Sequence, residues 1–302
     1  MTTTPADELL TPPAQRPVPL QAWLLLAMLA LVWGSSFIMM KRSLDVFPSS
    51  QIALGRIAFA FLFFLPFLIV RRKQFPRHKG WPLFTIGLVG YMIPAFLFAT
   101  GAAHLSSSLA GTLNSLSPLF TLLIGALFFG TIVRPRQVFG ILLGFAGSVF
   151  LVFYSATGSF QINGYALLLV LATICYGVNI NLIARHLGGL SPITSTAWLF
   201  GLTGPIALIG LLSTDFLPRA AQAGIGWPLL ALLSLGILSS GLMSILFNRV
   251  IQLSSAVFAS SVTYLMPVVA LTWGLLDGEP LYVPQIIGMV VCLAGVYLVN
   301  KK

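Results

Sequence analysis

From residue 21 onward, long apolar runs alternate with short polar or basic joints. Residues 80–133 contain no Lys, Arg, Asp or Glu. That length holds two bilayer crossings and a hairpin, because one helical crossing takes about 20 apolar residues. His104 with Ser106, Ser107 and Ser108 marks the turn between them. Residues 137–184 are equally free of charge and break at the polar segment 154–164. Continued along the chain, the pattern predicts ten helices, at 21–41, 50–70, 82–102, 107–130, 137–153, 164–184, 193–212, 228–248, 256–276 and 283–299. The count falls to nine if the second run, interrupted by Arg56, is not a full crossing. The fold class is therefore an all-α polytopic membrane protein.

Composition agrees. The 302 residues are 58% hydrophobic and 7% charged, with a mean hydropathy of +0.99. A soluble domain carries roughly 25% charged residues to cover its surface. Six acids and 16 Lys+Arg cannot solvate a 32.5 kDa globule, so most of the outer surface faces lipid. The net charge of +10 would suit a nucleic-acid partner only as a basic face on a soluble body. Here the basic residues sit in clusters between apolar runs, so the expected partners are the lipid bilayer and a small molecule, with no nucleic acid. With the N-terminus placed in the cytoplasm, Arg16, Arg71, Arg72, Lys73, Arg77, Lys79, Arg134, Arg136, Arg185, Arg249, Lys301 and Lys302 share that side. Only Lys41, Arg42 and Arg219 fall opposite, a positive-inside bias of twelve to three. The expectation is a plasma-membrane protein (the inner membrane in a bacterium) with both chain ends cytoplasmic. Residues 1–20 are polar and Pro-rich without a basic start, and read as a disordered cytoplasmic tail rather than a cleaved signal peptide. Cys175 and Cys292 fall inside apolar runs and read as small apolar fillers.

The two halves of the chain repeat. Trp81-Pro82-Leu83 matches Trp227-Pro228-Leu229, and Leu105-Ser106-Ser107 matches Leu253-Ser254-Ser255. Pro118 and Pro267 come next, each seven residues before a glycine, Gly125 and Gly274; the last helices share Gly140 and Gly147 against Gly288 and Gly295. A weaker echo joins Trp33-Gly34 to Tyr176-Gly177. The offsets stay between 143 and 149 residues in chain order. The segments are thus a first five-helix repeat at 21–153, a connecting loop at 154–163 and a second repeat at 164–302. Because five is odd, the second repeat must run inverted, the plan of alternating-access carriers with substrate held near midplane at the repeat interface.

This arrangement resembles the EamA family of the drug/metabolite transporter superfamily. The resemblance rests on the five-plus-five plan, the proline helix around Ala259 to Pro267, the turn Leu276-Asp277-Gly278-Glu279-Pro280 and the opening Gln285-x-x-Gly288. It covers nearly the whole chain after residue 20, and the look is closest to aromatic and neutral amino-acid exporters. It implies a ten-helix fold and export of metabolites. In one departure, Phe128-Phe129-Gly130-Thr131 stands where the family often has an acidic turn, which implies a differently built end of the fourth helix.

Polar groups facing lipid are costly, so those at mid-span are expected to face the interior. Trp33 and Ser36, Tyr91, Asn114 and Ser117, Tyr176 and Asn179, Ser240 and Ser244, and Ser260 and Tyr264 meet that condition at helical spacings. Trp33, Ser36, Tyr91, Asn114, Tyr176, Asn179, Ser240, Ser244 and Tyr264 form the candidate substrate pocket. The resemblance favours Trp33, Tyr91 and Tyr176, since the matching spans of the exporters line a central cavity. Serines in membrane helices are equally read as interhelical glue, and that alternative stays open for Ser240 and Ser244. Pro118 and Pro267 are either packed kinks or hinges. Arg56, the one basic residue well inside a span, either snorkels or contacts a substrate carboxylate.

All six acids lie in the tail or at span ends, so no intramembrane proton relay is expected and transport should be facilitative. No Walker-type phosphate loop occurs. His78, His104 and His186 are scattered in loops or a hairpin, so neither a metal, a cofactor nor an enzymatic constellation is expected. The remaining reading is a secondary carrier exporting neutral or aromatic amino acids, functional as a monomer. The alternatives are a carrier of a nucleotide sugar or drug-like amphiphile, or a passive channel.

Overall fold

Ten helices occupy the apolar runs in the computed structural model, which describes residues 18–153, 164–278 and 283–300. The expected tail up to residue 17, the connecting loop at 154–163, Glu279, Pro280 and the terminal Lys301 and Lys302 lie outside the described residues. We number the helices α1 (Leu20–Leu44), α2 (Ser49–Val70), α3, α4, α5 (Pro135–Phe153), α6 (Gly164–His186), α7 (Pro192–Leu212), α8, α9 and α10 (Val283–Asn300). Four are composite. α3 joins Gly80–Gly87 to Ile93–Ala102 through a π-helical segment, Leu88–Met92. α8 joins Gly226–Ser234 to Met243–Leu253 through another, Leu235–Leu242. α4 is Ser107–Asn114 followed by Ser117–Phe128, and α9 is Ala256–Ser260 followed by Val262–Leu276. Among the described residues eight of the ten, all but α5 and α10, are long and apolar enough to cross a membrane, and α2 is one of them despite Arg56.

Local sequence sets the helix starts. Ser106, Ser191 and Ser255 each accept a bond from the backbone N–H three residues on, at 3.2, 3.2 and 3.1 Å, and so open α4, α7 and α9. The bundle is turned outward compared with a soluble protein. Large apolar side chains such as Leu24, Leu31, Leu127 and Ile209 are exposed, while Asn114, Thr121, Asn179, Thr203, Ser240 and Ser244 are buried. With lipid as solvent, apolar side chains lose nothing outside and polar ones find partners only inside.

The packing obeys a two-fold rule in which each helix corresponds to the one five places later. α2 packs on α7 and α5 on α10; α1 packs on α9 as α6 packs on α4; α1 packs on α8 as α6 packs on α3. Glycines make these approaches possible. A Cβ on Gly34 of α1 would lie 2.5 Å from Val269 Cβ on α9, and one on Gly177 of α6 would lie 2.7 Å from the backbone of Phe120 on α4. A Cβ on Gly87 of α3 would meet Thr203 of α7 at 2.6 Å, and one on Gly236 of α8 would meet Phe59 of α2 at 2.6 Å. On α10, a Cβ at Gly295 would press on the backbone of Gly140 and Gly144 of α5, 2.5 Å away. The repeats are also inverted. The C-terminal ends of α1, α7 and α9 meet at one end of the bundle, while those of α6 and α8 meet the N-terminal end of α7 at the other. We call the second end, which carries Arg71 to Lys79, Arg185 and Arg249, the basic end.

The expectation for the close of α4 is corrected. Without an acidic residue it ends as α9 does, on a glycine of positive φ two residues past the helix: Gly130 at 67° and Gly278 at 78°. Only the left-handed backbone is needed there, and glycine supplies it.

The end away from the basic loops is tied across the repeats. Lys41 Nζ donates to Asp277 Oδ2 at 2.8 Å, and Arg42 pairs with the other oxygen of the same carboxylate. Gln51 Nε2 donates to Asp215 Oδ1 at 2.6 Å, and Arg219 Nη1 to the carbonyl of Val46 at 3.0 Å. The hydrogen bond from Lys41, and then the charges of Lys41 and Arg42, hold the Asp277 carboxyl below its ordinary value against the opposing effect of its burial.

This packing has two measurable consequences. Gly34→Val should push α1 off α9 and lower stability in detergent by roughly 1–3 kcal/mol, as overpacking does, read as a drop in the thermal unfolding midpoint. An unchanged midpoint would show that the α1–α9 contact is looser than described. Because the Asp277 carboxyl is depressed, its stabilisation is complete above the ordinary carboxylate range and is lost as pH falls through its lowered value. Asp277→Asn should therefore cost about 1 kcal/mol or less at neutral pH, the half-exposed basic partners limiting the gain. The gap between variant and wild type should close under acid conditions, and a gap independent of pH would argue against the pairing.

Candidate functional site

A cavity lies inside the bundle where the two repeats face each other. It spans about 870 Å³, open solvent at its mouth included. Its walls come from α1, α2, α3, α4, α6, α8 and α9; among the described residues none of its lining belongs to α5, α7 or α10.

The symmetry-related aromatics stand at symmetry-related positions. Trp33 on α1 and Tyr176 on α6 each precede the glycine that seats a neighbouring helix, and both rings face the cavity. Trp33 Nε1 donates to the carbonyl of Ser239 at 2.9 Å, so the indole edge is spent on α8 and its face is left for contact. Ser239 lies within the π-helical stretch, where the wider turn displaces backbone groups from the regular ladder. Tyr176 stacks on Phe98 with centroids 5.8 Å apart, and Phe98 meets Phe37 at 6.2 Å. The π segment of α3 carries Gly90 and Tyr91 into the wall. A Cβ on Gly90 would fall on the Asn179 side chain, so glycine there makes room for that amide.

The polar groups divide into two kinds. Arg56 on α2 brings a guanidinium into the cavity, where its Nε donates to Ser240 Oγ at 3.3 Å and Tyr176 lies within its electrostatic reach. Among the described residues no carboxylate pairs with it. Asn114 Oδ1, Asn179 Oδ1 and Ser239 Oγ are buried in the same wall without a hydrogen-bond partner in the protein. Asn114 commits its amide nitrogen to Met266 Sδ at 3.4 Å. Ser36, Ser117 and Ser244 give their hydroxyl protons to carbonyls of their own helices, at Trp33, Asn114 and Ser240. Ser244 also takes a side-chain hydrogen bond from Tyr91 of α3, and Ser240 accepts from Arg56 of α2, so both serines join helices as well as lining the cavity. The site thus offers one cation, several acceptors and a set of aromatic faces.

Eight of the nine residues expected in a pocket line this cavity: Trp33, Ser36, Tyr91, Asn114, Tyr176, Asn179, Ser240 and Ser244; Arg56 joins them. Tyr264 does not. It is 4% exposed on α9 and absent from the wall, whose α9 residues are Val262, Thr263 and Met266. Ser260, one helical turn before it, is likewise absent from the wall and gives its hydroxyl proton to the carbonyl of Val257. The expectation that the two prolines sit alike is also corrected. Pro267 lies within a helical segment, whereas Pro118 stands in the first turn of the second segment of α4. There the carbonyl of Asn114, which Pro118 cannot reach, is taken by Ser117 Oγ at 2.8 Å. Neither proline lines the cavity. Sequence reasoning missed Phe37, Phe98, Phe247 and Ser239, which lie one or two turns from, or next to, Trp33, Tyr91, Ser244 and Ser240. A search for polar mid-span residues passes over phenylalanines, and only their helical spacing from those residues could have marked them.

The comparisons with known proteins agree with this architecture. Residues 21–153 and 163–301 each match the profile of the EamA-like transporter family. A WAT1-related protein of Arabidopsis thaliana is 29% identical over 89% of this chain and 85% of its own length. The uncharacterized inner membrane transporter YedA of Escherichia coli K12 is 27% identical over 90% and 88%. A riboflavin transporter of Rhizobium johnstonii is 32% identical over 53% of this chain and 52% of its own. A solved crystal structure superposes with a TM-score of 0.68 at 18% identity, covering 92% of this chain and 96% of that one, which speaks for the fold alone.

Proposed function

The chain belongs to the EamA-like transporter family of the drug/metabolite transporter superfamily, and from that premise we propose that its central cavity carries neutral or aromatic amino acids by alternating access. The chain is a multi-pass membrane transporter that binds a small molecule, and not an enzyme. The amino-acid reading is supported above all by one observation. A guanidinium without a counter-ion among the described residues shares a cavity with two asparagine carbonyls that have no partner in the protein. A buried ion is costly until it is paired, and an orphaned buried acceptor costs about 1–3 kcal/mol. A zwitterion answers both needs. Its carboxylate meets Arg56, and its ammonium meets Asn114 Oδ1, Asn179 Oδ1 and the faces of Trp33, Tyr91 or Tyr176. The apolar remainder rests against Phe37, Phe98 and Phe247.

A nucleotide sugar fits less well, since its two phosphates would want more than one cation. Transport runs down the substrate gradient, because among the described residues every carboxylate stands at a helix end. The direction is export across the plasma membrane, with the basic end and both chain termini in the cytoplasm and the monomer as the working unit.

Counterflow in liposomes tests the reading. Preloaded unlabelled phenylalanine or leucine should drive transient uptake of the labelled amino acid, with saturation, and nucleotide sugars and riboflavin should not compete. Arg56→Gln should weaken the apparent affinity at least tenfold, since breaking a desolvated charge pair costs about 2–5 kcal/mol. If no amino acid exchanges, or if flux never saturates as in a channel, the substrate assignment is wrong.

A further inference from the structure

A second cavity opens at the basic end, enclosing about 670 Å³ with open solvent included, between the ends of α6 and α8 and the starts of α7 and α9. One helix connects it with the first. Along α8, Ser240, Ser244, Asn248 and Gln252 recur every four residues, a polar row that winds slowly around the helix from one cavity to the other. The first two line the central cavity and the last two line the second. Twelve residues at 1.5 Å each span roughly 18 Å, about half the thickness of a membrane.

Asn248 is the unusual member. It is 2% exposed, its Nδ2 donates to Thr196 Oγ1 at 2.9 Å and to Ser195 Oγ at 3.5 Å on α7, and its Oδ1 has no partner in the protein. A purely structural tie between α7 and α8 would not need an amide whose acceptor is left bare. Gln252, beyond it, is exposed and donates to the carbonyl of Leu190 at 2.9 Å. The opposite direction differs. α3, the counterpart of α8, leaves the central cavity toward the other end along Ala95, Phe98, Ala99 and Ala102, with Thr100 the one hydroxyl in Ile93–Ala102. That end is also the one closed by the Lys41–Asp277 and Gln51–Asp215 ties.

We propose that the polar row of α8 is the route between the central cavity and the basic end, and that Asn248 is an intermediate station on it. Its free carbonyl accepts a hydrogen bond from a donor on the passing substrate, such as an ammonium or hydroxyl group. The amide is held for this by Thr196. This rests on the central cavity as the transport site and adds a second, shallower one.

The test separates the two claims. With Cys175 and Cys292 replaced by alanine, Asn248→Cys, Gln252→Cys and Thr100→Cys are made singly and exposed to a membrane-impermeant thiol reagent from each side. Asn248→Cys and Gln252→Cys should react from the basic side and Thr100→Cys from neither; this readout needs no knowledge of the substrate. In counterflow, Asn248→Leu should slow exchange at least tenfold and Asn248→Ser, which restores an acceptor, should recover most of it. An Asn248→Cys that stays unlabelled from the basic side while Gln252→Cys reacts overturns the route. Labelling as expected with equal exchange rates for the leucine and serine variants overturns the station. Failure of every amino acid to exchange in the wild type strikes the substrate reading and leaves the labelling result to decide the route.

Discussion

A guanidinium held among apolar helices, with no carboxylate beside it among the described residues, is the constraint around which the site is built. Arg56 lies about two turns into α2, too deep to be ignored by a low-dielectric surrounding, and among the described residues its guanidinium has only the hydroxyl of Ser240 and the nearby phenol of Tyr176 as polar neighbours. Such a charge persists because the cavity keeps it wet or because a ligand neutralises it. The three buried acceptors in the same wall face the same choice. An interior built for stability alone would have replaced these groups with leucine. Their presence together is why the cavity reads as a place where a polar molecule stops.

The second constraint is close packing between inverted halves. Glycines at corresponding places let helices approach until a single added methyl would collide, at Gly34 and Gly177 and again at Gly87 and Gly236. The residues next to the first pair, Trp33 and Tyr176, are thereby delivered to opposite walls of one cavity. In lipid, where apolar burial between helices gains little, such backbone approach is what holds helices together. Symmetry is broken where chemistry demands it: α8 has a longer π-helical stretch than α3, and α8 alone continues as a polar row toward the basic end.

Much of this was legible in the sequence, and for physical reasons. Bilayer thickness fixes helix length, so charge-free runs located the ten helices to within a few residues. The spacing of Trp33-Gly34 and Tyr176-Gly177, weak as letters, marked positions that packing makes equivalent. Mid-span polar residues gathered in one place because lipid leaves them nowhere else to go. The features that escaped depend on backbone detail. The breaks at Ser115–Leu116 and Ser261 and the two π segments rotate one stretch of a helix against the next, and no side-chain pattern announces them. For this reason Pro118 stands at a helix start. Asn248 was overlooked because it lies beyond mid-span, next to Arg249, where a polar residue looks ordinary.

The central claim is that Arg56 takes the carboxylate of the transported molecule. Equilibrium binding of phenylalanine and of its carboxamide to the purified wild type and to Arg56→Gln closes a four-cornered cycle that isolates this contact. Removing the ligand's charge and removing the guanidinium should each weaken binding strongly, while doing both should cost little more than either alone. Losses that simply add would contradict the claim, because the two charges would then be acting on different partners.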